Sequence, residues 1–147
     1  MTLFDAPAAK THKSRVIPFT VSAIVLVAFV VLFFVFRYYP EKRAAENFFD
    51  ALVAGDTNKA YAIWKPTAGY EMKDFLADWG PKGYWGPVKS YRIGRAKVLT
   101  GASGVSITIT VSPYSPMPDP TDLEKSRKTK TVSLWVEKSD KSFSFPP

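Results

Sequence analysis

Residues Val16–Phe36, VIPFTVSAIVLVAFVVLFFVF, divide the chain into two parts of different character. The stretch contains no charged residue, and from Ala23 onward it contains no polar residue. About 20 apolar residues at about 1.5 Å each cover the roughly 30 Å hydrocarbon core of a bilayer, where a helix satisfies its own backbone groups. The sequence therefore predicts one transmembrane helix over residues 16–37.

This helix is predicted to stay in place as an uncleaved signal-anchor. A cleavable signal has a shorter apolar region of about 7–15 residues followed by small residues. Here the apolar region runs directly into Phe36-Arg37-Tyr38-Tyr39-Pro40. The chain has no cysteine, so neither a lipid-modified cysteine nor palmitoylation supplies a different anchor.

The flanking charges do not set the orientation of the span. Three basic residues lie on each side: Lys10, Lys13 and Arg15 before it, and Arg37, Lys42 and Arg43 after it. Because long domains are translocated largely regardless of their charge, we expect a disordered cytoplasmic leader over residues 1–15 and an extracytoplasmic domain over residues 38–147. The expected location is therefore the inner or cytoplasmic membrane, crossed once.

The predicted domain is large enough for one hydrophobic core and too small for two. It holds sixteen basic and twelve acidic residues, which is a mild excess of positive charge. Nucleic-acid binding is usually accompanied by a concentrated basic face with stacking aromatic residues. We therefore predict no nucleic-acid partner.

Helices are predicted to come first in the domain. Pro40 suits the first turn of a helix, and apolar residues recur at i, i+3, i+4 and i+7 through Ala44–Val53. Glu41 falls on the opposite, polar face of this pattern. Gly55 is predicted to end the helix.

Two shorter helices follow. Asp56 or Thr57 is expected to cap a helix over Asn58–Trp64. A further helix is predicted over Glu71–Trp79, whose apolar side includes Leu76.

The sequence pattern changes from helical to strand-like after a connector rich in glycine and proline over residues 80–87. Four strands are predicted there, over Val88–Leu99, Val105–Val111, Thr131–Lys138 and Ser142–Phe145. The second has the clearest period of two, with Val105, Ile107, Ile109 and Val111 on one face. The segment between the second and third strands is predicted to be a loop.

Helices followed by an antiparallel meander predict an α+β fold, with about three helices on one face of a curved sheet of about four strands. The runs AAENFFDALVAGDTNKAYAIW (44–64), GPVKSYRIGRAKV (86–98), GVSITITV (104–111) and KTVSLWVEKSDKSFSF (130–145) resemble the helix pair and meander of the NTF2-like, cystatin-like superfamily. The resemblance implies a pocket between the sheet and the long helix. Some members of that superfamily are isomerases or dehydratases, and many only bind or assemble.

One departure from the superfamily pattern concerns the last strand. It normally continues with a basic, aromatic and apolar ending, whereas here the sequence reads Phe145-Pro146-Pro147. We therefore expect a shortened sheet edge.

Metal chemistry lacks its usual ligands in the predicted domain. The single histidine, His12, precedes the span, and there is no cysteine. Asp119, Asp122 and Glu124 come closest to an oxygen-ligand cluster, but they lack the glycine and spacing of a calcium loop. We predict a solvated acidic turn there, with no metal and no cofactor.

Catalysis by a nucleophile is also not indicated. There is no G-x-S-x-G motif, and a serine in the domain has no histidine to act as its base. A tyrosine–aspartate pair of the isomerase type stays open, built from Tyr61 or Tyr91 with Asp78. We predict no catalytic residues and a non-enzymatic protein.

Aromatic residues crowd a short stretch with interleaved glycines: Trp64, Tyr70, Phe75, Trp79, Tyr84 and Trp85. One interpretation is that they fill the core while the glycines permit tight turns. Another is that Trp79, Tyr84 and Trp85, together with Tyr91, border a pocket or a partner-docking surface. A third places Tyr84 and Trp85 near lipid headgroups.

Basic residues crowd a second stretch: Lys125, Arg127, Lys128 and Lys130. They form either a solvated connector or, with Arg37, Lys42 and Arg43, a contact with anionic lipid or an acidic partner. Such a contact is worth about 1 kcal/mol per basic residue near a charged membrane.

Three functions remain open at this point. The first is an anchored interaction or assembly module that binds a membrane or envelope protein. The resemblance implies such a role, because anchored NTF2-like domains of similar layout occur in scaffold subunits of secretion machines, and small anchored assembly factors of respiratory complexes look similar in outline. The second is a pocket that binds a small apolar ligand or lipid, and the third is an NTF2-like enzyme. Of the three, we expect the anchored interaction or assembly module. The sequence does not determine the oligomeric state.

Overall fold

The structure is a computed structural model that describes residues 16–146, with side chains from residue 19 onward. The leader predicted over residues 1–15, with His12, lies outside the described residues. The chain divides into two compact units, one ending at Phe36 and the other beginning at Arg37.

The first unit contains α1, Val16–Phe36. All its described side chains, from Phe19 to Phe36, are exposed. A helix that is apolar on every side requires an apolar environment around it. Among the described residues, one helix near the N-terminus is long and apolar enough to span a membrane.

The second unit is α+β and begins with three helices, α2 (Tyr39–Val53), α3 (Thr57–Trp64) and α4 (Met72–Trp79). Gly55 follows α2 with a φ of 76°, a left-handed conformation that glycine adopts without steric cost. The Asp56 carboxylate caps α3 by accepting the Lys59 backbone N–H at 3.0 Å. The predicted boundary between the first two helices of the domain is therefore confirmed.

Four antiparallel strands follow, in the spatial order β1-β2-β3-β4. They are β1 (Ser90–Lys97), β2 (Gly104–Ser112), β3 (Lys130–Glu137) and β4 (Phe143–Ser144). The register of β1 on β2 shifts between Ile93 and Ala96, where the strand bulges.

One face of the sheet packs on the helices. The predicted alternation in β2 is confirmed, since Val105, Ile107, Ile109 and Val111 are all buried. Opposite them in β3 lie Val136, Leu134 and Val132, which are also buried. The other sheet face carries hydroxyl side chains and is partly exposed, as is common in antiparallel sheets.

Aromatic side chains join the helices to this sheet face. Phe48 of α2 is fully buried, and its ring centroid lies 5.3 Å from each of those of Trp64, Trp79 and Phe143. Phe49 packs beside it against Trp79 at 5.6 Å. Large rings therefore occupy the space between α2 and the sheet, where the resemblance implies a pocket.

Several side-chain placements differ from the sequence-based expectations, among them that of Val53, which ends the apolar stripe of α2 and is exposed. Glu41, assigned to the polar face of α2, is only 5 % exposed and pairs with Lys141 at 3.0 Å. Leu76, assigned to the apolar side of α4, is 40 % exposed, because α4 buries Phe75 and Trp79 instead.

The extents of the elements also differ from the prediction, by one residue at an end in most cases and by more in the following ones. The first strand is shorter than predicted, at Ser90–Lys97, because its ends leave the ladder with β2. The segment predicted as a loop contains a one-turn helix, α5 (Leu123–Ser126), capped by the Asp122 side chain. The last strand has two residues where four were predicted.

Candidate functional site

Trp79, Tyr84 and Trp85 lie together at the end of α4. The connector after α4 folds back on the helix, since the N–H groups of Tyr84 and Trp85 donate to the carbonyls of Ala77 and Asp78, each at 2.8 Å. Tyr84 is 65 % exposed, Trp85 is half-buried, and the Trp85 ring stacks on Trp79 at 6.0 Å. The connector therefore presents Tyr84 on a base of packed tryptophans.

Trp79 itself is buried at 2 % exposure and belongs to the core. It also borders a small cleft of ≈290 Å³ beside Pro81 and Pro87. Its indole N–H is buried without a hydrogen-bond partner among the described residues. Of the three sequence-based interpretations, core filling applies to Trp79, and an exposed docking surface is available only at Tyr84 and Trp85.

Tyr91 lies apart from these residues, on the core face of β1. Its ring stacks on Phe49 at 5.3 Å, and its hydroxyl donates to the Asp50 carboxylate at 2.6 Å. Burial, and then the hydrogen bond to Asp50, raises the pKa of Tyr91 well above its usual range. The phenol therefore stays protonated and fastens β1 to α2.

The tyrosine–aspartate pairing left open by the sequence, Tyr61 or Tyr91 with Asp78, is wrong. Asp78 instead accepts from Tyr70 at 2.8 Å, and Tyr61 donates to the carbonyl of Tyr70 at 3.0 Å. Burial, and then the bond to Asp78, raises the pKa of Tyr70 well above its usual range. These contacts hold α3, the following turn and α4 together.

The basic residues of α5 and the segment after it divide between local contacts and one contact that is distant in sequence. Lys125 pairs with Asp122 at 3.1 Å, and Lys128 lies 5.9 Å from the Tyr114 ring centroid. Lys130, the first residue of β3, lies 4.4 Å from the Tyr84 ring centroid and donates to the Tyr84 carbonyl. The fold thus brings the end of the basic stretch to the aromatic connector, which sequence analysis treated as a separate site.

The acidic residues that precede α5 form a turn, as expected. The Thr121 hydroxyl and N–H both donate to Asp119, and they lower the pKa of that carboxyl. The Lys125 N–H, which Asp122 accepts at 3.2 Å, lowers the pKa of Asp122. In the described part of the chain, no group of three or more acidic or histidine side chains is placed to hold a metal ion.

The other basic candidates belong to α2 and the turn before it. Arg37 lies over the Tyr38 ring at 5.3 Å, and Arg43 pairs with Glu46 at 3.0 Å, one helical turn away. Lys42 follows the buried Glu41 and is half-buried. Within residues 16–146, no ion pair or cation–ring contact joins these residues to Lys125, Arg127, Lys128 or Lys130.

β4 ends early for an identifiable reason. Its Ser144 lies opposite Trp135 of β3. In a continued ladder Pro146 would be the residue opposite Ser133, and proline has no N–H to donate. The first half of β3 therefore has no neighbouring strand on that side among the described residues.

The backbone groups exposed along this open edge belong to Thr131 and Ser133. The Glu137 N–H donates toward β4, to Ser142, whereas the Lys138 N–H donates toward β2, to Ser103. Alternate residues of an antiparallel strand direct their backbone groups to the same side, so those of Thr131 and Ser133 point away from β2. Within residues 16–146 these groups have no hydrogen-bond partner on that side.

Aromatic side chains border this edge at both ends. Tyr84 lies at the Lys130 end, through the contact described above. At the other end, Phe145 follows directly after β4, is 37 % exposed and stacks on Trp79 at 6.2 Å. We call the set Tyr84, Trp85, Lys130, Thr131, Ser133 and Phe145 the β3 edge patch. Sequence analysis missed Thr131, Ser133 and Phe145, although Pro146 signalled the shortened edge.

A second concave surface lies between α2 and α3. This α2–α3 groove has a volume of ≈1020 Å³ and is lined by Tyr39, Pro40, Arg43, Ala44, Asn47, Asp50, Lys59, Ala62, Ile63, Lys65 and Lys141. Of its charged residues, Asp50 already accepts the Tyr91 hydroxyl, and the other four are cations. Sequence analysis named only Arg43 among them as a candidate.

Comparisons with known proteins give no relative from which a role is carried over. No protein-family model matches the chain, and neither a curated protein nor a solved structure matches it significantly.

Proposed function

We propose that the chain is a single-pass membrane protein whose domain docks an extended segment of a protein partner at the β3 edge patch. The observation that carries this proposal is the pair of unpaired backbone sites at Thr131 and Ser133, flanked by exposed aromatic rings. An added strand takes its affinity from main-chain hydrogen bonds and its specificity from side-chain contacts beside the edge. The patch offers both.

The charge around the patch favours an acidic partner segment. Lys130 lies at the start of the open edge, and Arg127 and Lys128 precede it in an exposed turn. Arg127 has no carboxylate partner among the described residues. Opposite charge on the incoming segment speeds its encounter with the edge and fixes its register.

The membrane location of this activity rests on α1, a helix that is apolar on every side and exposed throughout its described length. We place the domain on the outer face of the membrane because long C-terminal domains translocate largely regardless of charge. The proposed partner is accordingly a membrane or envelope protein.

A non-enzymatic role agrees with the structural hydrogen bonds that the half-buried tyrosines and their carboxylate partners form. The tyrosine–carboxylate pairs each link elements of the fold, Tyr91 to α2 and Tyr70 to α4. Aromatic rings fill the space between α2 and the sheet where an NTF2-like enzyme holds its substrate. We still propose the NTF2-like superfamily as the fold, on the order of helices and meander; an experimental structure with a different strand order rejects it.

Photo-crosslinking in native membranes tests the docking proposal. A photoreactive residue at position 84 is expected to give one discrete adduct with another protein. The matched control is position 99, because Leu99 has the same exposure of 65 % and lies at the opposite, hairpin end of the sheet. Equal adducts from both positions contradict the proposal, as does an adduct of twice the mass of the chain.

A pair of edge variants identifies the backbone as the binding element. Thr131→Pro removes the outward N–H on an open edge, where proline is tolerated, and Thr131→Val keeps that N–H. We expect Thr131→Pro to lower the yield of the adduct at least fivefold and Thr131→Val to leave it unchanged, since a hydrogen bond contributes about 0.5–1.5 kcal/mol and the proline also obstructs pairing. Equal yields from the two variants, with unchanged circular dichroism, contradict strand addition.

A further inference from the structure

The α2–α3 groove combines an apolar floor with a cationic rim. Ala44 and Ile63 contribute to the floor, and both are half-buried against the core. Four cations, Arg43, Lys59, Lys65 and Lys141, also line the groove, together with one carboxylate, that of Asp50, which accepts the Tyr91 hydroxyl. This arrangement is complementary to an amphiphile that carries negative charge at one end.

The cations of the rim differ in how far they are already neutralised. Lys141 pairs with the buried Glu41 at 3.0 Å, and Arg43 has an exposed partner in Glu46. Exposed pairs of this kind contribute little and exchange readily for a better anion. Lys59 and Lys65 have no carboxylate within ion-pair distance among the described residues. The Lys65 ammonium donates to the backbone carbonyl of Asp140. After the Ser142 N–H, it also helps to lower the pKa of the Asp140 carboxyl, so Lys65 is partly compensated and Lys59 is the less neutralised of the two.

Two of the rim lysines are held in an unfavourable backbone conformation. Lys65 has a φ of 52° and Lys141 a φ of 61°, and these are the two non-glycine residues with positive φ in the part of the chain that the structure describes. Lys65 occupies the C-cap of α3, a position where glycine is usually preferred. Strained non-glycine residues concentrate at binding sites, because their side chains are needed where the backbone places them.

The groove is also close to α1 along the chain. Tyr39, which lines it, follows Phe36 by three residues, and three residues span at most about 11 Å. The headgroup layer of a bilayer begins where the apolar core ends. One lining residue of the groove is thus joined to the end of α1 by a short stretch of chain.

From these observations we infer that the α2–α3 groove binds one anionic phospholipid from the surrounding membrane. The phosphate lies between Lys59 and Lys65, and the glycerol and upper acyl carbons lie on the apolar floor. The inference rests on the proposed membrane anchor, but it requires no protein partner and uses none of the β3 edge patch. Its failure is thus distinguishable from the failure of partner docking.

Native mass spectrometry of the full chain in detergent tests the site, with dioleoylphosphatidylglycerol as the probe and dioleoylphosphatidylcholine as the comparison. We expect one phosphatidylglycerol to bind at least tenfold more tightly than phosphatidylcholine. The variant Lys59→Gln with Lys65→Gly is expected to lower that affinity at least tenfold while remaining folded, because glycine relieves the left-handed conformation at position 65. Equal affinity for the two lipids overturns the inference.

A matched variant separates a site from general electrostatic attraction. Lys125→Gln with Arg127→Gln removes the same charge outside the groove, and it is expected to leave the affinity unchanged. Ala62→Phe fills the groove without changing charge, and it is expected to abolish the bound lipid. If the Lys125 and Arg127 variant loses as much affinity as the groove variant, or if Ala62→Phe retains the lipid, the site does not exist.

Competition separates a lipid site from a site for free anions. Inorganic phosphate at millimolar concentration lacks the apolar part of the ligand, so it is expected not to displace phosphatidylglycerol. Displacement by phosphate alone shows that the groove binds free anions and overturns the lipid assignment.

Discussion

At the scale of single residues, two tyrosine–carboxylate hydrogen bonds connect different elements of the domain, one of them across a long stretch of sequence. Tyr91 donates to Asp50 from 41 residues away, and Tyr70 donates to Asp78 from the turn before α4. Burial of the two rings, and then these hydrogen bonds, raises both tyrosine pKa values. The ionised phenol is therefore disfavoured in the folded domain, and this has a measurable consequence in alkaline solution.

The free energy of unfolding is expected to fall above about pH 10. An unfolded tyrosine ionises near pH 10, while Tyr70 and Tyr91 keep their protons in the folded state to higher pH. Stability from these groups is thus fully present below pH 10 and is lost as the pH rises toward the folded pKa values, because the folded state then binds more protons than the unfolded state.

Urea unfolding of the full chain in mild detergent between pH 8 and pH 11.5, followed by tryptophan fluorescence, measures this loss. The double variant Tyr70→Phe with Tyr91→Phe is expected to be about 1–3 kcal/mol less stable at pH 8, since two hydrogen bonds are removed. Its stability is also expected to fall less steeply above pH 10. Lysine deprotonation affects both proteins alike, so parallel curves contradict the assignment.

Side-chain pairs between residues far apart in sequence could not be predicted from the sequence. Helical periodicity places Glu41 on the polar face of α2, and locally that is correct. Its partner Lys141 comes from the turn between β3 and β4, 100 residues later, and covers it. Only the packing of the sheet on α2 reveals that the Glu41 carboxylate is buried. The same packing brings the Tyr91 hydroxyl to the exposed Asp50 carboxylate, which the sequence pattern also does not reveal.

At the scale of elements, the open edge of β3 predicts an alternating pattern of amide exchange. The N–H groups of Val132 and Leu134 point into the ladder with β2, whereas those of Thr131 and Ser133 point outward. We expect the outward amides to exchange with solvent at least tenfold faster than their two neighbours, because they open without breaking the sheet.

Residue-resolved hydrogen exchange by NMR measures this pattern in the full chain in detergent. Pro146→Val supplies the missing N–H opposite Ser133, and it is expected to extend β4 and slow the exchange of the Ser133 amide. Pro146→Gly also supplies an N–H but disfavours the extended conformation, so it serves as the control. Uniform protection from Thr131 to Leu134 in the unmodified chain contradicts an open edge.

Elements with a long regular pattern were predictable in type and extent, whereas short ones were predicted only in part, since β4 was expected at greater length and α5 was not expected. β2 alternates over seven residues with one face buried, so its period fixes both the strand and its orientation. α2 is set by its apolar stripe and by Gly55. α5 has four residues and β4 has two, and elements of that length depend on one cap or one proline that a periodicity search does not weigh.

At the scale of the whole molecule, the candidate site arises from the fold. The aromatic connector and the basic stretch are separated by about forty residues and were treated as independent. The antiparallel pairing of β2 with β3 returns the chain to the end of α4, and Lys130 there meets Tyr84. The sequence supplied the residue types of the β3 edge patch, while their adjacency follows from strand order.

The orientation of the whole chain in the membrane is open to a direct test. The chain contains no cysteine, so a single introduced thiol reports its own location. Asn58→Cys lies at an exposed position of α3, and Thr2→Cys lies in the leader. In spheroplasts treated with a membrane-impermeant maleimide, we expect Asn58→Cys to be labelled at once and Thr2→Cys only after lysis, since the long domain is translocated despite the balanced flanking charges.

Each of these variants is the control for the other, because a leaky preparation labels both and a blocked reagent labels neither. The reverse pattern places the domain in the cytoplasm. The partner of the β3 edge patch then has to be a cytoplasmic protein, and the anionic lipid of the α2–α3 groove comes from the inner leaflet. That outcome does not contradict the proposed lipid site, because the residues that line the groove belong to the domain. Only the leaflet that supplies the lipid depends on the direction in which α1 crosses the membrane.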